Sequence, residues 1–126
     1  IALSDSPDEV RKKVSTMITD PARIKKDDPG HPEVCTVFSF HKVFNEAEVP
    51  EVEEQCRGGK IGCVQCKKNL ANKMVEHLGP IYERRQKILE NPGMVKEIIA
   101  NGNEKARKIA QQTMEDVRKA MRIDFI

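Results

Sequence analysis

The sequence predicts an all-α protein, a helical bundle of about five helices with a Gly-rich loop region that carries four cysteines. Three observations support this. Aromatic residues make up only 4% of the chain, with no Trp and one Tyr, which disfavours the strands of a sandwich or barrel. Apolar residues recur at helical spacing in most segments. Helix-start signals stand directly before several of those segments, and no run alternates in the way a strand would.

The first element is signalled by Ser6-Pro7-Asp8-Glu9, a capping box with Ser6 as N-cap and Pro7 at the first helical position. Val10, Val14, Met17 and Ile18 follow at helical spacing, and Thr19-Asp20-Pro21 is expected to end the helix. Residues 19–32, with three Pro and Lys25-Lys26-Asp27-Asp28, read as loop. A second helix starts near Pro32 or Glu33 and places Val34, Val37, Phe38, His41 and Phe44 on one face. An acidic connector, with a helical turn at Glu51–Gln55, leads to Cys56. After the loop Arg57-Gly58-Gly59-Lys60-Ile61-Gly62, a long helix runs from about Cys63 to Leu89, because Leu70, Met74, Leu78, Ile81 and Ile88 hold one register through Gly79-Pro80. Asn91-Pro92 opens a short helix with Val95, Ile98 and Ile99 inward and Asn101-Gly102 as its end. A last helix over residues 103–122 carries Ile109, Met114, Val117 and Met121 on one stripe.

A chain of 126 residues fits one domain. No apolar run approaches the ~18 residues that a membrane span needs, and no cleavable leader follows the start. The chain opens without Met, on Ile1-Ala2-Leu3, and reads as the middle of a longer protein. Its net charge of +2 names no partner, but the distribution is uneven. Residues 46–56 hold five acids and no base, whereas residues 57–90 hold eight bases against three acids. The two stretches either complement each other or leave a basic face for phosphate.

Cys35, Cys56, Cys63 and Cys66 form the pattern C-x20-C-x6-C-x2-C. In a reducing compartment, four cysteines with a CxxC read as metal ligands before disulfides. The Gly-rich loop supplies backbone N–H donors for sulfur, and a helix start at Cys63 favours thiolates. The spacing suits a structural zinc or a [4Fe–4S] cluster, and four reduced thiols without metal remain the plainer reading. No catalytic constellation is visible. His31, His41 and His77 are scattered and read as surface or packing residues, and Asp27-Asp28 as a solvated turn. There is no P-loop, GxSxG or HExxH.

The segments Leu3-Ser4-Asp5-Ser6-Pro7, Thr19-Asp20-Pro21 and Pro32-Glu33-Val34-Cys35-Thr36-Val37-Phe38 resemble the bacterial tryptophanyl-tRNA synthetases. So do Cys56-Arg57 through Cys63-Val64-Gln65-Cys66-Lys67-Lys68, Pro80-Ile81-Tyr82-Glu83-Arg84-Arg85 and Ala106-Arg107-Lys108-Ile109-Ala110. The order is the family's, and the resemblance extends over essentially the whole chain. The tyrosyl enzymes fit less well, since their helical region lacks the Pro-Glu-Val-Cys and four-Cys pattern.

The resemblance implies that residues 1–126 are the C-terminal helical, anticodon-binding region of a class I aminoacyl-tRNA synthetase, a cytoplasmic tryptophan–tRNA ligase. The Rossmann catalytic domain, which binds ATP with Mg and tryptophan, is not in this sequence, so no catalytic residue is assigned and the piece alone is expected to be inactive. The implied partners are tRNA(Trp), the catalytic domain of the same chain, onto which the helix at 103–122 would dock, and a second copy in a homodimer. No membrane or DNA partner is implied. Candidate RNA-binding residues are Arg57, Lys60, Lys67, Lys68, Arg84 and Arg85. Some family members with a similar four-Cys pattern carry a [4Fe–4S] cluster, which places iron–sulfur ahead of zinc at Cys35, Cys56, Cys63 and Cys66. The rival reading from another class is a free-standing four-Cys metal-binding, RNA-interaction module.

Overall fold

A computed structural model describes residues 1–123; of the expected domain, 124–126 lie outside the described residues. Among the described residues there are five α-helices and no strand: α1 (Pro7–Ser15), α2 (Thr36–Phe44), α3 (Val49–Arg57), α4 (Cys63–Leu89) and α5 (Pro92–Met121). Short 3-10 turns at Pro32–Val34 and Glu46–Glu48 precede α2 and α3. The chain divides into two compact units, Ile1–Arg85 and Gln86–Ile126.

The first unit holds the core. Its α1 begins at the expected capping box: Ser6 N donates to Glu9 Oε2 at 2.7 Å and Glu9 N donates back to Ser6 Oγ at 3.3 Å. The helix stops at Ser15, earlier than the expected end at Thr19-Asp20-Pro21. Ser15 Oγ bonds the Lys12 carbonyl at 2.6 Å and Thr16 Oγ1 the Lys13 carbonyl at 2.9 Å. These hydroxyls compete with the helical ladder there, and Ile18, expected on the apolar stripe, is exposed.

Val10 and Val14 from α1 meet Val37 and Phe38 from α2, Val52 from α3, and Leu70, Ala71, Met74 and Leu78 from α4 in one cluster. Val34 is 60% exposed, outside the face expected for it, because the chain forms a separate 3-10 turn before α2 begins at Thr36. Phe44 stacks on Phe40 and meets the His77 ring edge-on, at 6.2 and 5.5 Å between centroids. His41 is fully buried. Asn45 Nδ2 donates to its Nδ1 at 3.2 Å, so the ring proton sits on Nε2, 3.3 Å from the Cys66 carbonyl. Burial pushes the His41 pKa down and keeps the ring neutral. Asn45 also donates to Glu48, which receives Lys73 at 2.7 Å, so a polar chain ties the end of α2 to α4.

The helix α4 has the expected bounds and runs through Pro80. Arg84 Nε donates to the Pro80 carbonyl one turn earlier, at 3.2 Å.

In the second unit, Asn91 caps α5 by accepting from Met94 N at 3.2 Å. The expected break at Asn101-Gly102 does not occur, and the two helices expected there are one helix of 30 residues. Gly102 keeps a negative φ in open space, so helical propagation on both sides carries the chain through it. The helix buries no residue. Ile98 and Ile99, expected inward, are exposed, as are Ile109, Met114, Val117 and Met121.

Candidate metal centre and nucleic-acid interface

The segment between α1 and α2 has no periodic pattern, yet it is closely tied. Asp20 is buried and accepts from Ala22 N at 2.9 Å, His31 N at 2.9 Å and His31 Nδ1 at 2.8 Å. The His31 side-chain bond, followed by that of the Ala22 N–H, holds the Asp20 carboxyl below its ordinary pKa against the opposing effect of burial. A carboxylate held in this way stabilises the fold above the ordinary range near pH 4, and the contribution fades as pH falls through its lowered value. Asp20→Asn is expected to lower the urea midpoint at pH 7, with the gap to the unchanged protein narrowing progressively as pH falls below about 4. A gap independent of pH would show that the charge contributes nothing.

This strap places Arg23 and Gly30 against the turn between α3 and α4. Gly30 N donates to the Cys56 carbonyl at 2.9 Å. A Cβ on Gly30 would stand 2.5 Å from Cys56 Sγ, so only glycine lets the strap lie against that thiol. The turn itself needs Gly59, whose φ of +64° is left-handed and whose Cα side faces the Asp27 carbonyl. Arg23 Nη2 donates to the Lys26 and Ile61 carbonyls, both at 2.5 Å, and so pins strap and turn together.

The four cysteines lie around this junction as free thiols: Cys35 directly before α2, Cys56 in the last turn of α3, and Cys63 and Cys66 in the first turn of α4. Each adds to the field felt by Cys66, whose thiol is pushed up to about 12, chiefly by burial. Burial also raises Cys56, with Arg23 pulling the other way. Arg23 Nη1 lies 3.9 Å from Cys56 Sγ and 3.8 Å from Cys63 Sγ. The expected convergence is therefore only partial. Among the described residues, no three His, Cys, Asp or Glu side chains close into a set that could hold a metal ion as they stand. The Arg23 guanidinium lies against two of the four thiols, Cys56 and Cys63.

The donor chemistry nevertheless fits a thiolate-bound metal. A site with four thiolates is anionic, and the fixed cation of Arg23 is beside it. Arg23 Nε is buried with no hydrogen-bond partner among the described residues, a donor left over at the sulfur cluster. The sequence reading missed Arg23 and Gly30, which no motif or spacing marks, and it took Asp20 only as part of the Thr19-Asp20-Pro21 segment, without its role in holding His31.

The six basic candidates do not form one patch. Arg57 is engaged by Glu53 at 2.9 Å and Glu33 at 3.0 Å, and Lys60 by Glu54 at 2.9 Å, so the acidic and basic stretches partly neutralise each other. Lys67 and Lys68 follow Cys66 on α4, with Lys67 Nζ on the Ser15 carbonyl at 3.1 Å and Lys68 exposed. Arg84 lies about 27 Å further along the helix axis from Cys66, with Arg85 next to it.

Known proteins are similar to this chain in sequence and in fold. The family model described as "tRNA synthetases class I (W and Y)" matches residues 1–79. A tryptophan–tRNA ligase of Aquifex aeolicus is 48% identical over 98% of this chain and 32% of its own length. That of Thermotoga maritima is 44% identical over 99% of this chain and 39% of its own. The crystal structure of tryptophanyl-tRNA synthetase from Campylobacter jejuni superposes with a TM-score of 0.82 at 29% identity, covering 96% of this chain and 39% of that one. The chain spans about a third of the length of these relatives, and none of them supports a free-standing four-Cys module. With the family model covering residues 1–79 and the helical fold shared across the rest, the chain belongs to the class I tRNA synthetases of the tryptophan and tyrosine group.

Proposed function

We propose that this chain is the helical, anticodon-recognising region of a cytoplasmic tryptophan–tRNA ligase, with tRNA(Trp) as its RNA partner. In this reading a catalytic domain of the same polypeptide activates tryptophan with ATP, and the whole enzyme is a homodimer. The observation that carries the proposal is the gathering of four cysteines, the half-buried Arg23 and the Lys67-Lys68 pair around the place where the strap meets the start of α4. Single-stranded loops are bound by cations that hold phosphates and by side chains that meet splayed bases, and a rigid scaffold fixes both.

Cys35, Cys56, Cys63 and Cys66 would hold a [4Fe–4S] cluster, with one zinc ion as the alternative. The group would supply a fixed cross-link between α2, α3 and α4. Arg23 balances the thiolate charge, and Gly30 leaves room for Cys56 Sγ. A second reading, four thiols without metal, is supported by the placement of the four free cysteines, no three of which close into one ligand set among the described residues.

Anaerobic purification followed by iron, sulfide and zinc analysis separates these readings. About four irons per chain with a broad visible band are expected. Cys66→Ser is expected to abolish both and to weaken tRNA(Trp) binding by roughly tenfold. One zinc per chain would make the centre a structural tie. Anaerobically purified protein without iron or zinc, or Cys66→Ser that binds tRNA(Trp) as tightly as the unchanged protein, would overturn the metal proposal.

A further inference from the structure

Outside the thiol cluster, α1 and α4 bound a cleft of about 350 Å³. Two cross-helix hydrogen bonds fix its walls. Arg11 Nη1 donates to Asn72 Oδ1 at 3.1 Å, and Lys67 Nζ donates to the Ser15 carbonyl at 3.1 Å. Ala71 lies buried at its base, and Val64 stands 83% exposed beside it. Lys68 completes the rim. Among the described residues three cations and no acid line the cleft.

Helical spacing explains the juxtaposition. Arg11 and Ser15 are one turn apart on α1. Val64, Lys68, Ala71 and Asn72 recur at i, i+4, i+7 and i+8 on α4, so they share a face. The result is an apolar floor with a cationic rim, which is neither an ordinary salt-bridged surface nor a plain apolar patch. In contrast to Arg57 and Lys60, none of the three cations is neutralised by a carboxylate among the described residues.

We propose that this cleft binds one unstacked nucleotide of single-stranded RNA, its base against Val64, Ala71 and the Arg11 guanidinium plane and its flanking phosphates on Lys67 and Lys68. The volume lies at the lower end of the range for small-ligand sites, about 300–1,000 Å³, and suits one nucleoside. Arg11 offers its guanidinium plane for the base to lie against, a sequence-tolerant contact in a region without a Trp. Asn72 Nδ2 makes no hydrogen bond among the described residues and supplies a donor for a base carbonyl. Duplex RNA, with its bases paired and stacked, presents no base to such a floor.

The proposal rests on the RNA-recognition reading, and the test separates the two. Binding of the full chain is measured by fluorescence anisotropy against a labelled tRNA(Trp) anticodon stem-loop and a blunt RNA duplex, at several salt concentrations. The chain is expected to prefer the stem-loop. Arg11→Glu is expected to weaken stem-loop binding about tenfold or more. Lys68→Ala should weaken it about threefold and reduce the salt slope by about 0.7, the value for one phosphate contact on a single strand. Val64→Ser, at an exposed position that leaves the core untouched, is expected to weaken stem-loop binding about threefold and to leave duplex binding unchanged. Cross-linking from 5-iodouridine at unpaired positions is expected to reach the α4 peptide that holds Val64–Asn72. If the stem-loop is preferred but Arg11→Glu and Val64→Ser bind it like the unchanged protein, the cleft assignment is overturned and the RNA reading stands. Equal losses on stem-loop and duplex would show general phosphate attraction and overturn the base site. No preference for the stem-loop would overturn both.

Discussion

Leu70→Ala is expected to destabilise the Ile1–Arg85 unit by about 3–5 kcal/mol. Leu70 has no exposed surface and lies two turns into α4, in the cluster with Val10, Val14, Val37 and Met74. Truncation removes three buried carbons and leaves a cavity that four helices cannot all move to close. A domain of this size has about 5–15 kcal/mol to lose, so the variant would be partly unfolded at 37 °C. Ile109→Ala, at a position 69% exposed on α5, is the matched control and is expected to change stability by less than about 0.5 kcal/mol. Urea titrations of both variants would check this. A Leu70→Ala loss below about 1 kcal/mol would mean that α4 does not organise the core.

The second large effect is expected at a residue with no functional group. Gly30→Ala introduces a Cβ at 2.5 Å from Cys56 Sγ and 3.2 Å from the Cys56 carbonyl. The sulfur can rotate away, but the carbonyl cannot move without lengthening the Gly30 N–H bond to it. The fold should lose about 1–3 kcal/mol through overpacking. Retention of the proposed metal should fall on the order of tenfold or more, as for changes that disturb the support of a ligand. Chelator competition on the anaerobic protein measures the second effect and urea titration the first. A stability loss with metal retention unchanged would show that Gly30 serves the strap and leaves the thiols unaffected.

The helices were legible in the sequence where two signals agreed. The bounds of α4 follow from a glycine-rich break at one end and a sustained apolar register to the other, and the capping box fixes the start of α1. The reading failed where one signal was given the weight of two. Asn101-Gly102 resembles a helix end, but an exposed glycine costs a helix only about 1 kcal/mol, which the neighbouring good helix formers offset. Met17 and Ile18 continue the spacing of α1, while Ser15 and Thr16 end the helix through their hydroxyls.

For the candidate site, the cysteines could be found by spacing alone. Asp20, Arg23 and Gly30 could not, because their roles depend on how an aperiodic strap lies against a turn more than 25 residues away in sequence. The basic run was visible, but which cations remained available was not. The acids at Glu33, Glu53 and Glu54 engage Arg57 and Lys60 only after the chain has folded. Arg11, outside that run, lines the α1–α4 cleft with Lys67 and Lys68.

The long helix α5 affects how any stability measured for this chain should be read. Its thirty residues bury no side chain, so its melting follows helix–coil behaviour, broad in temperature and dependent on length. The four-helix core of the other unit melts as a packed body. Far-ultraviolet circular dichroism adds the two processes, and a two-state fit to that sum would return an enthalpy too small for either. The single tyrosine, Tyr82, belongs to the Ile1–Arg85 unit and is half-buried, so its emission follows the packed body alone. The chain thus carries a natural optical label for one half of its thermodynamics and none for the other.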